Sequence, residues 1–394
     1  MKICMLTTDY LPNIGGVAAH IYNLSRALTI QGHKVVVINP IASKDTSIQR
    51  SDDHGFTVYR PGINPDNWMY RNKIIRKKLF SRAALKAYEQ AKQEFGDFDI
   101  VHQQDYQDTT YAAAHIAKRS PWVWTCHTSR FMRDCNRRFK KKFIASSYRA
   151  TSGIIAVSDE REQHAQAVFP HKPIVIIPNG VDTDAFSINH KIDRSAYNLS
   201  HNDLVVLCPS RMTEKKGVLF LAKAIPQIIS ETPDISWKFL FLGSTSSANT
   251  NSEYIETIKN LLAPFEKNKT VTYLGNLPLH KMPEINGLAD IIVMPSLTEG
   301  MSLSALEAMS SQKAFVASDV GGMPMIVKNE KTGLLIPPAS TEAIVDALTR
   351  LAKEPDLREQ IALGARELVE RSYSWQIIAE RTVDFYQSLL NRKT

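Results

Sequence analysis

The same succession of strand, loop, helix and strand occurs twice in this chain. In each copy an apolar segment is followed by a polar loop, by apolar residues at helical spacing and by a second apolar segment. The first copy occupies residues 2–39 and the second occupies residues 204–243. Such a unit is the opening of a doubly wound parallel sheet, so two copies predict two Rossmann-like α/β domains.

The length of 394 residues suits two domains better than a single core. We expect the boundary within residues 174–191, where an apolar strand gives way to a Pro-Asn-Gly sequence and polar residues. The predicted N-terminal domain covers residues 1–180, and the predicted C-terminal domain covers residues 181–373. A helix over about 374–392 is expected to pack back on the N-terminal domain.

The N-terminal apolar stretch becomes polar too early for a signal peptide, and no segment approaches the roughly 18 apolar residues that a membrane span requires. We therefore expect a cytoplasmic protein. Thiols are reduced in that compartment, so the cysteines are expected to be structural. They are Cys4, Cys126, Cys135 and Cys208.

A nicotinamide site is not predicted. Such a site needs G-x-G-x-x-G after the first strand and an acidic residue near the end of the second. The first loop has only Gly15 and Gly16 together, and the second strand ends on Asn39 and Pro40. The sequence therefore does not indicate a dehydrogenase.

Two basic runs in the N-terminal half, residues 71–86 and 130–149, carry much of the net charge of +8. Either run alone is typical of a solvated face. Phenylalanines interleave with the charges, however, which suits helices lying on an anionic bilayer. We expect peripheral contact with the inner face of the cytoplasmic membrane and, since no recognition motif accompanies the charge, no binding of nucleic acid. The interleaved residues are Phe80, Phe131, Phe139 and Phe143.

Two carboxylates, Glu299 and Glu307, flank a turn that follows a predicted buried strand over residues 290–296. Because parallel sheets bind ligands at the carboxyl ends of their strands, this turn and the helix N-terminus after it form a candidate phosphate site. Glu299 can reach a sugar beyond the phosphate, and Glu307 can reach a ribose. Without a ligand, Glu299 would be a loop acid and Glu307 would form a capping box with Ser304. The phosphate would be held by Gly300 and by the backbone N–H groups of Met301, Ser302 and Leu303.

The matching loop of the same domain's first strand, "SRMTEKKG", supplies the complementary charge. Arg211 and Lys216 are placed to neutralise a diphosphate as it leaves, without a metal ion. Lys215 is adjacent to Lys216 and points elsewhere, so we expect it to be solvated.

At these residues the chain resembles the retaining nucleotide-sugar glycosyltransferases of family 4, also called glycosyl transferases group 1. The E-x7-E pattern appears as "EGMSLSALE" and the R-x4-K-G pattern as "RMTEKKG". The segments "DYLPNIGG", "WTCHTSR", "IPNGVDTDAF" and "YSWQIIAERTVDFY" extend the resemblance over nearly the full chain. It implies a GT-B fold with two domains facing a central cleft, and transfer with retention of anomeric configuration. It further implies that a UDP- or GDP-linked sugar is the substrate and that no metal or other cofactor is required.

For the C-terminal domain, the resemblance implies that Glu299 touches the hydroxyls of the transferred sugar and Glu307 the ribose. Arg211 and Lys216 would clamp the diphosphate. The family often has Phe-Gly after the Glu-Gly pair, whereas this chain has Met301 and Ser302.

For the N-terminal domain, the resemblance implies that the backbone of Gly16 approaches the donor phosphate. His127 matches the family histidine near the reacting sugar, where an imidazole can donate a hydrogen bond to a sugar hydroxyl. The alternative is a core histidine at a strand end.

Two D-x-D sequences, residues 97–99 and 182–184, have the form of a metal motif from another glycosyltransferase fold. We interpret both as turn and capping residues.

The predicted activity is hexosyl transfer to a glycan or lipid-linked acceptor in lipopolysaccharide or envelope polysaccharide synthesis. The alternatives are a nucleotide-sugar epimerase of the same fold and a non-catalytic two-lobed sugar-binding protein.

Overall fold

The chain divides into two compact units in the computed structural model. Unit 1 comprises Met1–Gly180 and Trp375–Thr394, and unit 2 comprises Val181–Ser374. The sequence suggests the variable loop at residues 244–253 for nucleobase or acceptor contacts, and residues 244–250 of it lie outside the described residues. The structure describes residues 1–13, 15–187, 192–243 and 251–393.

Unit 1 is built on a sheet whose first strands are continuous apolar runs. Residues 3–6 and 36–38 are fully buried, because helices cover both faces of a parallel sheet and leave no solvent-facing side. The strands are β1 (Lys2–Leu6), β2 (Lys34–Ile38), β3 (Ile41–Ala42), β4 (Ile48–Asp53), β5 (Phe56–Ile63), β6 (Ile100–Gln103), β7 (Trp122–Cys126), β8 (Gly153–Ala156) and β9 (Ile174–Ile176).

The strand order of this sheet is β3-β5-β2-β1-β6-β7-β8-β9. All of these neighbours are parallel, and β4 pairs antiparallel with β5. The winding reverses between β1 and β6, so the loops after these two strands diverge and leave a crevice at the carboxyl edge. The helices before the C-terminal segment are α1 (Gly16–Ile30), α2 (Trp68–Arg71), α3 (Lys73–Phe95), α4 (Thr110–Ile116), α5 (Ser129–Cys135), α6 (Arg138–Ser147) and α7 (Asp159–Val168).

Unit 2 holds a second parallel sheet with the order β12-β11-β10-β13-β14-β15. Counted within the unit this is the 3-2-1-4-5-6 order of dinucleotide-binding folds, with its switch point between β10 and β13. The strands are β10 (Leu204–Pro209), β11 (Trp237–Leu242), β12 (Val271–Gly275), β13 (Ile291–Met294), β14 (Ala314–Ser318) and β15 (Leu334–Ile336). The helices are α8 (Val218–Glu231), α9 (Ser252–Lys267), α10 (Met282–Leu288), α11 (Leu303–Ser310), α12 (Met323–Ile326), α13 (Thr341–Lys353) and α14 (Pro355–Ser372).

The last helix, α15 (Trp375–Leu390), belongs to unit 1. It packs against α1 and covers Gly153 and Gly180, where a Cβ atom would lie 2.6 Å from Phe385 and 2.7 Å from Trp375. The prediction of two doubly wound parallel sheets is confirmed. No helix among the described residues is long and apolar enough to cross a membrane.

Candidate active site

The loops that follow β10 and β13 are joined at the switch point of unit 2. The β10 loop comprises residues 210–217 and the β13 loop comprises residues 295–302. The carbonyl oxygen of Lys215 accepts hydrogen bonds from the backbone N–H groups of Leu297 and Thr298, at 2.8 and 3.4 Å. Two segments that are distant in the sequence therefore form one platform.

Gly217 permits this close approach. Its backbone is left-handed, with a φ of 62°, and a Cβ atom at this position would lie 1.8 Å from the carbonyl oxygen of Pro295. Only glycine leaves that space and adopts that conformation at low cost. The glycine of "EKKG" is thus required by the contact between the two loops.

Lys216 and Glu299 form an ion pair on this platform. The Lys216 Nζ lies 2.5 Å from Oε2 of Glu299, and the hydroxyl of Ser296 donates to the same oxygen at 3.3 Å. The two side chains are only 21% and 13% exposed, so their attraction is screened less than that of a surface pair. The fold thereby brings together two residues that the sequence predicts for the donor site.

A third loop, residues 319–322 after β14, holds the backbone of Glu299 and Gly300. The N–H of Gly322 donates to the carbonyl oxygen of Gly300 at 3.0 Å. Gly321 has a φ of 56°, and a Cβ atom there would lie 1.9 Å from the carbonyl oxygen of Glu299. The sequence analysis did not single out these glycines, although two adjacent glycines directly after a buried strand are a usable signal for close backbone approach.

Helix α11 begins directly after the β13 loop. Its N-cap is Ser302, whose hydroxyl oxygen accepts a hydrogen bond from the N–H of Ala305 at 3.4 Å. The alternative in which Ser304 and Glu307 form a capping box is therefore wrong, since Ser304 lies inside the first turn and not at its N-cap position.

The four residues predicted to hold a phosphate are consecutive around this N-terminus. Met301 and Ser302 are buried, whereas Gly300 and Leu303 are half-buried. A helix N-terminus carries partial positive charge and directs backbone N–H groups outward, so the arrangement suits an anion.

Glu307 lies on α11 and is half-buried. Within the described part of the chain its carboxylate has no hydrogen bond or ion pair; only its backbone carbonyl is engaged, by Ser311. Burial without a partner raises the pKa of Glu307 from 4.5 to about 7. A half-buried carboxyl that lacks partners among the described residues is available to a ligand.

Arg211 is the second residue of the β10 loop, and its side chain is exposed. Among the described residues it makes no salt bridge, and the structure does not place it in contact with Lys216 or Glu299. Lys215 is exposed as well, and only its backbone contacts the β13 loop.

In unit 1 the sequence-predicted Gly16 is the first residue of α1, directly after the loop that follows β1. It lies at the switch point of the first sheet, and its backbone is exposed. The preceding Gly15 is the N-cap and provides no side-chain hydrogen bond. This helix end has the features of an anion site.

His127 directly follows β7 and is half-buried. Its Nε2 lies 2.7 Å from Oε1 of Gln104, and its carbonyl oxygen accepts a hydrogen bond from Nε of Arg161 at 3.2 Å. Burial, with further contributions from His20, His102 and Arg161, holds the pKa of His127 well below its usual range. The imidazole is therefore neutral.

Several polar residues around His127 were missed by the sequence analysis. The ring of His20 lies edge-on to that of His127, with 4.6 Å between centroids, and its Nδ1 is 2.9 Å from Oδ1 of Asn179. The ring of Trp375, from α15, lies 5.3 Å from that of His20. The polar run "HQQD" at the end of β6 was the available signal for Gln104, because polar residues at the carboxyl end of a buried parallel strand point to a site.

The two basic runs lie close together in unit 1. Lys77 of α3 donates a hydrogen bond to Gln107. Burial lowers the pKa of Lys77, and the smaller contributions include those of Arg130 and Asp134 of α5. Helix α4 packs against both α3 and α6. Runs that are separate in the sequence therefore belong to one surface.

The exposed aromatic residues of this surface differ from the predicted set. Phe139 and Phe143 of α6 are 88% and 63% exposed, as the membrane interpretation requires, but Phe131 is fully buried. The prediction for Phe131 is wrong because its ring packs in the core, 5.0 Å from the ring of Trp124. Phe80 is half-buried and packs near Tyr70. Further exposed apolar side chains on α2, α3 and α4 are Trp68, Ile74 and Tyr111.

The two D-x-D sequences are engaged in backbone contacts. A carboxylate oxygen of Asp99 accepts from the N–H of Lys2 at 2.7 Å, and one of Asp182 accepts from the N–H of Ala185 at 3.0 Å. Within the described ranges no group of three or more His, Cys, Asp or Glu side chains could hold a metal ion.

Two parallel α/β sheets, with charged and glycine-rich loops at their switch points, define the architecture of GT-B glycosyltransferases. A model of Glycosyltransferase Family 4 matches residues 14–185, and a model of Glycosyl transferases group 1 matches residues 189–368. The chain therefore belongs to the group 1, family 4 glycosyltransferases.

Relatives match over almost the whole chain. The uncharacterized glycosyltransferase MJ1607 of Methanocaldococcus jannaschii is 28% identical, covering 98% of both chains. The phosphatidylinositol N-acetylglucosaminyltransferase GPI3 subunit of Saccharomyces cerevisiae is 25% identical, covering 98% of this chain and 83% of its own.

Solved structures show the same fold. Sucrose-phosphate synthase from Thermosynechococcus elongatus superimposes with a TM-score of 0.79 at 20% identity, covering 99% of both chains. The Anabaena protein Alr3699/HepE in complex with UDP superimposes with a TM-score of 0.74 at 18% identity, covering 98% of this chain and all of its own.

Proposed function

We propose that this glycosyltransferase moves a hexose from a UDP- or GDP-linked donor to a lipid-linked or glycan acceptor, with retention of anomeric configuration and without a metal ion. The observation that carries the proposal is the Lys216–Glu299 ion pair, held at the switch point of unit 2 beside the N-terminus of α11. The arrangement combines a lysine cation, a carboxylate and a helix dipole where a sugar diphosphate would lie.

Donor binding would exchange the partner of Lys216. Without a ligand, Lys216 neutralises Glu299. When a diphosphate occupies the N-terminus of α11, Lys216 turns to the phosphate, and Glu299 becomes free to accept hydrogen bonds from sugar hydroxyls. Arg211, which is exposed in the same loop, supplies a second positive charge. Glu307 accepts from the ribose hydroxyls.

The transfer step needs no carboxylate nucleophile from the protein. The acceptor oxygen bonds to the anomeric carbon on the face from which the phosphate oxygen departs. The proton of the acceptor hydroxyl passes to the departing phosphate oxygen, so the phosphate acts as the base. Lys216, Arg211 and the helix N-terminus stabilise the charge that develops on the diphosphate.

A lipid-linked acceptor is supported by the surface of unit 1. Exposed Phe139 and Phe143 stand among the cations of α6, a composition that suits the interface of an anionic bilayer. The yeast relative is named for transfer to phosphatidylinositol. We place the reaction among the steps that build lipopolysaccharide or another envelope polysaccharide, at the inner face of the cytoplasmic membrane.

The test starts from a thermal-shift screen of nucleoside diphosphates and their sugars, which identifies the donor. With that donor, Lys216→Ala and Arg211→Ala are expected to lower kcat by roughly two orders of magnitude each, the scale of losing one preorganised charge-stabilising group. Lys215→Ala is the matched control, because this neighbouring side chain is exposed and its backbone contacts are retained.

Excess chelator should leave turnover unchanged, and proton NMR couplings of the product should show the anomeric configuration of the donor. Normal turnover in both Lys216→Ala and Arg211→Ala would show that these cations do not stabilise the leaving diphosphate. A product with inverted anomeric configuration would exclude retention. An altered sugar nucleotide formed without acceptor would favour an epimerase. Sugar binding without any turnover would favour a binding protein.

A further inference from the structure

The orientation of the Gln104 side chain is fixed by its surroundings. Its amide nitrogen lies 3.4 Å from the sulfur of Met5 and 3.2 and 3.3 Å from the two ring nitrogens of His102. Its amide oxygen faces His127 Nε2 at 2.7 Å. A rotated amide would direct its oxygen at a sulfur and at an imidazole ring, which offer it no proper donor, so the observed orientation is the favourable one.

His102 provides a rigid base for this amide. Its Nδ1 lies 2.6 Å from the hydroxyl of Tyr386, and its Nε2 lies 2.6 Å from the hydroxyl of Thr125. Hydroxyl groups therefore engage both ring nitrogens. The Gln104 nitrogen is nearly equidistant from the two, so we interpret its contact as the weaker one that an N–H makes with an aromatic ring. Since His102 is fully buried, these contacts hold it in one position.

This geometry determines which nitrogen of His127 carries the proton. An amide oxygen only accepts hydrogen bonds, so Nε2 of His127 must donate. A neutral imidazole has one N–H, and Nδ1 is then an unprotonated acceptor. No described residue bonds Nδ1, and the side chain is partly exposed.

We infer that Gln104 is a positioning residue that fixes His127 as the Nε2–H tautomer, so that Nδ1 accepts a hydrogen bond from a substrate hydroxyl. This inference rests on the proposed transfer reaction for the identity of the hydroxyl as a sugar hydroxyl. The direction of the hydrogen bond is opposite to the one expected from the sequence, where the imidazole is the donor. Gln104 itself contacts no reacting atom and acts through His127.

Burial opposes a charged imidazolium at His127, and the groups that face it add no negative charge to favour one. They are His20 from α1, His102 from β6 and Arg161 from α7, and Arg161 donates a hydrogen bond to the carbonyl oxygen of His127. Burial lowers the pKa of His20 to about 4 and that of His102 to about 3, so both are neutral at physiological pH. Arg161 is the positive charge of this set, and it disfavours a second one on His127.

The first experiment reads the tautomer without any substrate. The protein is labelled with 15N-histidine, and two-bond proton–nitrogen correlations are recorded at pH 7, with His127 assigned by its loss in His127→Ala. We expect the pattern of an Nε2–H tautomer in the wild type. In Gln104→Met, which removes the accepting oxygen, we expect the His127 signals to shift toward a mixture of tautomers. The matched control is Gln103→Met, because Gln103 is the adjacent buried residue and bonds Asp105 and Thr110 instead.

An Nδ1–H pattern in the wild type would overturn the inference, and so would an unchanged pattern in Gln104→Met. Because no donor or acceptor is present, these outcomes are independent of whether the proposed function is correct. Circular dichroism checks that each variant is folded. A variant that fails to fold leaves the wild-type spectrum as the deciding measurement.

The second experiment uses the pH profile of turnover. Gln104→Met should lower kcat by roughly 10- to 100-fold at every pH, by analogy with residues that orient metal-bound histidines, while Gln103→Met should keep kcat near the wild-type value. Gln104→Glu places a carboxylate against Nε2, which favours an imidazolium and blocks Nδ1 with a proton. Its kcat should therefore be low at acidic pH and recover as the pH rises above the apparent pKa of the pair, a recovery that a merely structural defect would not give. An activity loss that does not depend on pH in Gln104→Glu would contradict the positioning role.

Discussion

At the scale of single residues, Glu307 stands apart from Glu299. Glu299 has a cation and a hydroxyl as partners, whereas the carboxylate of Glu307 has no partner within the described residues and its pKa is raised to about 7 by burial. The ligand-free protein therefore holds Glu307 partly protonated at neutral pH. Two hydroxyls of a ribose would stabilise the ionised form, because both donate to it.

Nucleotide binding should consequently release a proton from Glu307. The folded-state pKa is raised, so protonation is complete well below pH 7 and is lost as the pH rises through 7. We expect the affinity for the nucleoside diphosphate to increase with pH between about 6 and 8. Calorimetry at pH 6.5 in buffers of different ionisation enthalpy measures the proton release.

Glu307→Gln is the control for this prediction, since the ligand phosphates also titrate in this range. Only the difference between wild type and variant reports on Glu307. An equal proton release in both proteins would show that Glu307 keeps its protonation state and does not bind the ribose as a carboxylate. Glu299→Ala should instead reduce turnover more than nucleotide affinity, because its proposed contact is with the transferred sugar.

At the scale of elements, the platform proposed to bind the donor depends on how closely the β10 and β13 loops approach. The backbone of Lys215 bonds the β13 loop, and Gly217 leaves room for the carbonyl of Pro295. The ion pair between Lys216 and Glu299 spans the same junction. The junction thus positions the charged side chains as well as the backbone.

Gly217→Ala should separate the two loops. The new methyl group would lie 1.8 Å from the Pro295 oxygen, so the loops must move and the Lys216–Glu299 pair must lengthen. We expect weaker nucleotide binding by calorimetry and a lower free energy of unfolding in urea. The loss should exceed the roughly 1 to 2 kcal/mol that a left-handed backbone alone costs a non-glycine residue.

Gly275→Ala separates steric conflict from backbone strain. Gly275 also has a left-handed backbone, with a φ of 67°, but nothing lies within 4 Å of an added Cβ atom. The free energy of unfolding of this variant should fall only by the cost of a left-handed backbone at a non-glycine residue, and its nucleotide affinity should be retained. Equal losses in the two variants would mean that contact between the loops does not matter for the site.

At the scale of the whole molecule, the surface formed by α2, α3, α4 and α6 of unit 1 bears on the choice of acceptor. Its exposed apolar side chains lie among lysines that form no salt bridge with any described residue, such as Lys73, Lys78 and Lys142. Lys77 and Lys140 are less available, because they bond Gln107 and Asp134. An anionic bilayer would attract the exposed lysines and accept the aromatic rings.

Vesicle co-sedimentation should show binding that increases with anionic lipid and decreases with salt. Each lysine near the surface contributes about 1 kcal/mol, so changing Lys73, Lys78 and Lys142 to Gln should weaken partitioning by roughly a hundredfold at low salt. The control changes three exposed lysines of unit 2, Lys223, Lys259 and Lys267, to Gln and leaves partitioning nearly unchanged.

The aromatic contribution is measured separately with Phe139→Ser and Phe143→Ser, which should reduce binding that persists at high salt. Equal binding by the lysine variant and its control would show that attraction to the vesicle is not local to this surface. If the wild type ignores anionic vesicles at low salt, a soluble glycan becomes the preferred acceptor.

The sequence by itself determined the two parallel sheets and the position of the loops to which we assign the chemistry. Continuous apolar segments specify strands that are buried on both faces, and polar residues directly after them mark the carboxyl edge of the sheet. The motif residues Lys216 and Glu299 could be predicted from the sequence in the same way, because each follows an apolar strand segment. Such signals are local, since each depends on residues adjacent in the chain.

The tertiary structure alone decided which residues meet. Lys216 and Glu299 are paired because β10 and β13 are neighbours in the sheet, and strand order is a property of long-range packing. Phe131 and Phe139 occur in the same basic run, yet one is buried and the other exposed, because adjacent short helices turn different faces to the core. The orientation of Gln104 likewise depends on distant residues that no local pattern specifies. Side-chain partners and hydrogen-bond direction arise from the packing of separate segments, and this is why they required the folded protein.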